Sequence, residues 1–193
     1  NGAGGADINL NGNKLTVSGD GDSVVVASGE SLTLKNGNIE MTNIEDPNYA
    51  GLAVGEGSAV VLDNVDIDLG DGSILVDYGI ETASIDVINS IITTASYFAI
   101  STNALNTQTG QGVVINVINS NLIVDGQGDG DCTGILMNVP GRLTVTDSEI
   151  TAGRQAVIVR TGNATITNST LNNTLAYTEA NWAKYDESKW GAG

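Results

Sequence analysis

Residues 84–92 read SIDVINSII, and residues 114–122 read VINVINSNL. Each stretch places aliphatic residues at alternate positions, reaches an asparagine, and has another aliphatic residue three positions later. Alternation with period two is the pattern of a β-strand, and the asparagine marks the place where the pattern breaks. The same template occurs six times, at Leu32-Leu34-Asn36-Ile39, Val60-Leu62-Asn64-Ile67, Ile85-Val87-Asn89-Ile92, Ile115-Val117-Asn119-Leu122, Leu143-Val145-Asp147-Ile150 and Ala164-Ile166-Asn168-Leu171.

The spacing of the copies indicates a repeat architecture. Successive anchor residues (the Asn or Asp of each copy) lie 28, 25, 30, 28 and 21 residues apart. A repeat of this length is typical of one supersecondary unit stacked on copies of itself. We predict an all-β fold, a right-handed, single-stranded parallel β-helix (solenoid) of about seven rungs. Each rung, meaning one turn of the solenoid, has a first strand before the anchor, a second strand after it, and a third strand, which we predict at 51–54, 79–82, 99–102, 134–137 and 156–159.

The two ends of the chain depart from the template. We predict the β-helix over residues 1–176, with a first copy at Ile8–Asn11 whose register has slipped by one. Residues 177–193 are predicted to be a capping segment, with a short helix that begins at Thr178. Its aromatic residues are predicted to cover the last rung, with a sugar-stacking site as the alternative: Tyr177, Trp182, Tyr185 and Trp190. Two insertions, 103–112 and 125–131, are predicted to bulge from the column.

Composition limits the possible partners. The net charge is −16, with no histidine. Such a surface repels phosphate backbones and anionic lipid, so we expect no nucleic-acid partner and no membrane insertion. The single cysteine, Cys132, allows no intrachain disulfide and is interpreted as a small structural residue. Because the sequence starts at Asn1, we interpret it as a mature or excised segment of a secreted or bacterial surface protein.

The anchor asparagine has a structural role in this prediction. Asparagine tolerates the left-handed backbone that a sharp bend requires. The alternation places the anchor on the inward side, so the asparagines are predicted to form an amide ladder inside the corner. Asp147 interrupts the ladder, and its carboxylate is expected to accept two amide donors.

The repeats resemble those of a known superfamily. The turn Asn89-Ser90-Ile91-Ile92 and the third strand Gly134-Ile135-Leu136-Met137 are similar to elements of right-handed β-helix proteins of the pectate-lyase-like superfamily. The resemblance covers 6–173 and is strongest to adhesin-like repeat regions of bacterial surface proteins. It implies the fold, but this fold hosts lyases, hydrolases, esterases and adhesins.

Enzymatic members of the superfamily need residues that are scarce in this chain. Polygalacturonase-like hydrolases use a Gly-His-Gly and an Arg-x-Lys element, and neither is present. Pectate lyases use bound calcium with an Arg or Lys base. The template places Arg142 at the start of a first strand and Arg160 at the end of a third strand, so neither is expected beside the main group of acids.

One group of carboxylates is a candidate metal site. The template places Glu40 and Asp68 on the outer face of the second strand in adjacent rungs, with Asp66 beside them. Oxygen ligands in this arrangement would suit calcium. A hydrated acidic face is the alternative, and no other cofactor is expected.

These patterns favour a binding role. We expect a non-catalytic, adhesin-like module on a bacterial cell surface or in the extracellular space, which presents loops and sheet faces to a glycan or a surface protein. A calcium-dependent polysaccharide lyase or glycoside hydrolase is the first alternative, and a structural stalk or spacer is the second. We expect a monomer, with self-association as the alternative.

Overall fold

The computed structural model describes residues 4–19, 21–42, 50–102, 112–125 and 132–174. Within these ranges the regular structure is all strand, and no helix occurs. The strands are β1 (Gly5–Asn9), β2 (Lys14–Ser18), β3 (Val24–Val26), β4 (Ser31–Thr42), β5 (Ala50–Val54), β6 (Ser58–Asp68), β7 (Ser73–Val76), β8 (Thr82–Ile88), β9 (Ile91–Thr94), β10 (Phe98–Thr102), β11 (Gly112–Ile118), β12 (Asn121–Val124), β13 (Thr133–Met137), β14 (Gly141–Thr146), β15 (Glu149–Ala152), β16 (Gln155–Val159), β17 (Asn163–Thr167) and β18 (Thr170–Asn173).

The strands stack as a parallel solenoid. Third strands pair in the order β16-β13-β10-β7-β5-β3, and first and second strands form a larger sheet. In that sheet β4 and β6 each run through the corner and serve as first and second strand of their rungs. Every strand pair in the described ranges is parallel. The predicted parallel β-helix is therefore confirmed. Its five inner rungs, from β4 to β16, hold nearly all of the buried core, to which β3 adds Val26, while β1, β17 and β18 are largely exposed.

The register follows the sequence template. Equivalent template positions pair directly from rung to rung because a one-residue slip would turn each aliphatic side chain outward. The first strands align Leu32, Val60, Ile85, Ile115, Leu143 and Ala164. The second strands align Ile39, Ile67, Ile92, Leu122, Ile150 and Leu171.

One predicted third strand is wrong. We predicted a strand over 79–82, whereas the third strand of that rung is β7, whose Ile74 pairs with Ile100 of the next rung. Gly79 lies in the following turn with φ of 82°, a backbone conformation that suits glycine. Both segments have a small residue followed by isoleucine, so the local pattern did not separate them.

The first rung has not slipped. Ala6 pairs with Leu32, and Leu15 pairs with Ile39, as the template requires. Two extra residues are instead accommodated at the corner, in a tight turn where the Asn13 N–H donates to the Leu10 carbonyl at 2.9 Å. An insertion in a turn leaves the strand pairing intact, whereas a slipped strand would expose its apolar face.

Several predictions fall on residues outside the described ranges. These are the capping segment 177–193 and nearly all of both loop insertions, 103–111 and 126–131. Cys132 is described: it is buried, and its Sγ accepts the Gly153 N–H at 2.9 Å and donates to the Val124 carbonyl at 3.3 Å. Its position fits the structural interpretation.

A serine ladder holds the corner between the first and second strands. We give this name to Ser90, Ser120, Ser148 and Ser169, each of which follows an anchor residue. The Ser90 N–H donates to Ser120 Oγ at 3.0 Å, and the Ser120 N–H donates to Ser148 Oγ at 3.1 Å. Each hydroxyl also donates to the carbonyl two residues earlier, as Ser120 Oγ does to Ile118 at 2.7 Å. Serine thus satisfies N–H groups that the interrupted strand ladder would leave unpaired.

A carboxylate links two rungs at the opposite corner. The turn Gly55–Ser58 joins a third strand to the next first strand and is closed by the Ser58 N–H, 3.2 Å from the Gly55 carbonyl. Glu56 in this turn accepts hydrogen bonds from the backbone N–H groups of Glu81 (2.6 Å) and Thr82 (3.0 Å) and from the Thr82 hydroxyl. The hydroxyl bond is the main reason that the pKa of Glu56 is lowered from its usual value, and the backbone bonds add to it.

We predict that Ser120→Ala destabilises the fold by roughly 1–3 kcal/mol, because the buried Ser90 N–H loses its acceptor. Urea unfolding followed by circular dichroism measures the change. Ser169→Ala is the matched control, since it removes the same kind of bond at a half-exposed position where water can substitute. Equal losses in the two variants would contradict the role of the buried ladder.

We predict that Glu56→Gln lowers the melting temperature at neutral pH and that this loss shrinks in acid. A lowered pKa in the folded state means that Glu56 stabilises the fold fully above its unfolded pKa, and that this contribution disappears as pH falls through the folded pKa. Thermal melts from pH 7 down to pH 3 measure the effect. Glu81→Gln removes an exposed carboxylate one rung later and is the control. A Glu56→Gln deficit that stays constant with pH would refute the linkage.

Candidate functional site

The corner between the first and second strands is built on a left-handed residue. All six anchors have positive φ, between 47° and 57°. Asparagine and aspartate adopt this conformation more readily than other residues with side chains. We call the set the asparagine corner: Asn36, Asn64, Asn89, Asn119, Asp147 and Asn168. The predicted bend at the anchor is confirmed.

The predicted orientation of the anchor side chains is wrong. Asn64, Asn89 and Asn119 are exposed on the outside of the corner, and the residue after each anchor is buried instead. The left-handed residue breaks the strand alternation, so the interior position passes to Val65, Ser90 or Ser120. The amide ladder therefore lies on the surface.

The surface ladder exists in two pieces. Asn64 Nδ2 donates to Asn36 Oδ1 at 3.0 Å, and Asn36 Nδ2 donates to Asn9 Oδ1 at 3.2 Å. Higher in the column, Asn119 Nδ2 donates to Asn89 Oδ1 at 2.8 Å. Asn89 Nδ2 lies 3.5 Å from Asp63 Oδ1, which is the distance limit of a hydrogen bond, and does not reach Asn64. The bonded amides are fixed in orientation, and each nitrogen keeps a second N–H that the ladder does not use.

Asp147 ends the upper piece. The carboxylate was expected to accept two amide donors, but it accepts neither Asn119 nor Asn168. Asn119 already directs its amide nitrogen toward Asn89, so its oxygen faces the Asp147 side, and an ionised carboxylate has no proton to donate to that oxygen.

A groove of about 360 Å³ runs beside the lower part of the asparagine corner. One wall carries the anchor amides of three successive rungs, and the other carries the outward residues that start the second strands. Between the walls lie Gly37 and Val65, and Gly12 of the first rung also contributes. Since the same positions line it in consecutive rungs, the groove follows the column axis. The wall residues are Asn36, Asn64 and Asn89 opposite Asn38, Asp66 and Ile91.

The predicted acidic residues are divided between different surroundings. Glu40 pairs with Asp68 in the strand register, but its carboxylate is bound by Lys14, with Nζ 2.6 Å from Oε2. Asp68 Oδ1 accepts the Gly70 N–H at 2.9 Å. Asp66 lies one outward position earlier, in the groove wall. Within the described ranges, no group of three or more His, Cys, Asp or Glu residues is arranged to hold a metal ion. Calcium binding stays a prediction.

Sequence reasoning missed Lys14 and the groove. In the strand register Lys14 pairs with Asn38 and Leu15 pairs with Ile39, so Lys14 lies in the rung next to that of Glu40. The prediction that the first rung has slipped by one residue hid this pairing. The groove was missed because the anchor amides were assigned to the interior. The recurring serine after the anchor was the signal, since a small hydroxyl side chain suits a buried corner that must satisfy backbone N–H groups.

The chain matches no known family model, and comparisons with curated proteins and with solved structures give no significant match. The parallel solenoid rests on the strand pairing alone, and the pectate-lyase-like relationship stays a prediction. The described residues also include no helix long and apolar enough to cross a membrane.

We predict that Asp147→Asn stabilises the protein by about 0.5–1.5 kcal/mol per hydrogen bond gained. The introduced amide can donate to Asn119 Oδ1, which the carboxylate cannot do, so it would extend the upper piece of the ladder by one rung. Differential scanning calorimetry at neutral pH measures the shift in melting temperature. Asp125→Asn removes the same charge from an exposed position away from the corner and is the control. A shift equal to that of the control would mean that charge alone is responsible.

Proposed function

We propose that the protein is a non-catalytic binding module of a cell-surface or secreted protein, and that it binds a neutral glycan in the groove beside the asparagine corner. The observation that carries the proposal is the repetition of amide side chains along an open groove of about 360 Å³. A glycan is one of the two partners expected from the sequence, the other being a surface protein, and the location is the expected one. The groove adds a place for the glycan to bind.

Amides are suited to sugar hydroxyls because both groups donate and accept hydrogen bonds. Asn36, Asn64 and Asn38 supply such groups, and Asn38 makes no side-chain hydrogen bond within the described ranges. Ile91, which is 38% exposed, adds an apolar surface to the same wall. A few placed polar groups beside an apolar contact are typical of small-ligand sites.

Rigidity favours binding at this place. Asn36 and Asn64 lie within β4 and β6, which pair with each other before and after the bend, and Asn64 is further fixed by its bond to Asn36. Side chains that are already ordered lose little conformational entropy when a ligand binds.

Charge favours a neutral ligand over an acidic one. The net charge is −16, and Asp66 lies in the groove wall. An anionic polysaccharide would be repelled by both. This argument also disfavours the alternative of a lyase that acts on acidic polysaccharides, although it leaves a hydrolase of neutral glycans and a simple spacer to be decided by experiment.

The test is retention of the protein on a panel of immobilised neutral and acidic polysaccharides. We expect binding to a neutral polysaccharide, and we expect Asn64→Gly to weaken it about tenfold, because one or two hydrogen bonds of about 0.5–1.5 kcal/mol are lost. Glycine keeps the positive φ of 53° at this position.

Asn168→Gly is the matched control, since it makes the same change at φ of 50° in the last rung, away from the groove. Failure of the wild-type protein to bind any neutral polysaccharide, or equal binding by Asn64→Gly, would overturn the proposal. Release of new reducing or unsaturated ends during incubation would instead favour the enzymatic alternative.

A further inference from the structure

The break in the amide ladder lies inside the groove. Both pieces of the ladder run in the same direction, because each amide nitrogen donates to the oxygen of the preceding rung, as Asn64 does to Asn36 and Asn119 to Asn89. At the break, Asn64 is the last amide of the lower piece and Asn89 is the first of the upper piece. Both side chains line the groove, together with Val65.

The break leaves an acceptor and a donor directed toward each other. The oxygen and nitrogen of an amide lie on opposite sides of the group, so Asn64, whose nitrogen points to the preceding rung, directs Oδ1 toward Asn89. Asn89 accepts from the following rung at Oδ1 and therefore directs Nδ2 toward Asn64. That nitrogen has two N–H groups, and the contact with Asp63 at 3.5 Å uses at most one of them.

A hydroxyl group fits the break. Adjacent rungs are about 4.8 Å apart, and an oxygen about 2.8 Å from each of two partners spans that separation. The hydroxyl donates to Asn64 Oδ1 and accepts from Asn89 Nδ2, whereas a carboxylate cannot donate and an ammonium group cannot accept. A water molecule meets the same two requirements, and a sugar hydroxyl that displaces it preserves both bonds.

The opposite wall supplies a second acceptor in the same rung. Asp66 lines the groove on the other side of Val65 from Asn64. Within the described ranges its carboxylate makes no side-chain hydrogen bond or ion pair. A hydroxyl that donates to a carboxylate forms a charge-assisted bond, which is stronger than a bond between neutral groups. Two neighbouring hydroxyls of one sugar ring therefore find partners on both walls of the groove.

We propose that the break in the amide ladder is the principal subsite of the groove, and that it binds a sugar residue with two adjacent free hydroxyls. This inference rests on the proposed function. One hydroxyl bridges Asn64 and Asn89, and its neighbour donates to Asp66. Ile91 pairs with Asp66 in the strand register and lines the groove, so it offers an apolar contact to the C–H face of the same ring.

The linkage of the glycan tests the need for two adjacent hydroxyls. The immobilised probes are cellulose, amylose and a galactan, whose residues are linked through C4 and keep free hydroxyls at C2 and C3. The comparison is curdlan, an uncharged glucan that is linked through C3 and has no adjacent pair within its chain. We expect at least one of the C4-linked polysaccharides to retain the protein and curdlan to retain none. Periodate oxidation followed by borohydride reduction cleaves the C2–C3 bond without adding charge, and it should abolish retention.

A substitution at the break tests the bridging hydroxyl from the side of the protein. Asn89→Asp replaces the amide donor at the break by an acceptor and keeps an oxygen for Asn119. We expect the affinity for the retained polysaccharide, measured from binding isotherms, to fall about tenfold, which corresponds to about 1.4 kcal/mol. Asn168→Asp is the matched control, since it makes the same change at an anchor of nearly equal φ, outside the groove, and should bind as the wild type does.

The outcomes separate this inference from the proposed function. Retention on curdlan, retention after periodate treatment, or an unchanged affinity of Asn89→Asp would contradict the subsite and leave glycan binding in place. An equal loss in Asn168→Asp would also contradict it, because the added charge would then explain the effect. Absence of retention on every neutral polysaccharide, these four included, would overturn the proposed function itself.

Discussion

The left-handed backbone at each anchor is the constraint on which the rest of the column depends. It bends the chain between the first and second strands and, by breaking the alternation, exchanges the roles of two adjacent side chains. The anchor moves to the surface, and the next residue moves to the interior. Strand pairing above and below then requires the same bend in every rung. This is why aspartate at position 147, with φ of 50°, is accommodated even though it interrupts the amide ladder.

Two ladders follow from this single bend, and they differ in surroundings. Inside, the hydroxyls of buried Ser90, Ser120 and Ser148 accept the backbone N–H groups of Val65, Ser90 and Ser120, so each bond affects stability directly. Outside, the asparagine amides bond to one another where water competes, so each bond adds less to stability. Their main consequence is orientation, since a bonded amide presents its remaining N–H in a fixed direction.

The sequence predicted those features that repeat strictly. Period-two alternation with a 21- to 30-residue repeat determined the strand columns, because only one register keeps residues such as Ile85 and Ile115 inside. It failed where two local patterns were equivalent. Ser73-Ile74 and Gly79-Ile80 look alike, and only pairing with Ile100 separates them. The sequence also predicted the wrong orientation for the Asn64 side chain. Counting alternate positions as inward and outward is valid only along a regular strand, and the left-handed backbone at Asn64 interrupts the strand.

The candidate site was less predictable than the fold because it lies at the anchor residues, where the period-two alternation breaks. Asp66 was singled out for its charge, yet its place in a groove wall depends on the outward amides of Asn36 and Asn64. A solenoid repeats its core strictly, since each rung must fit the next, while its outward positions are free to differ. The change from Lys35 and Asp63 to Ile88 and Ile118 occurs in one surface column without altering the strand register. A rigid repeating scaffold can thus vary recognition along its axis without altering the packing beneath.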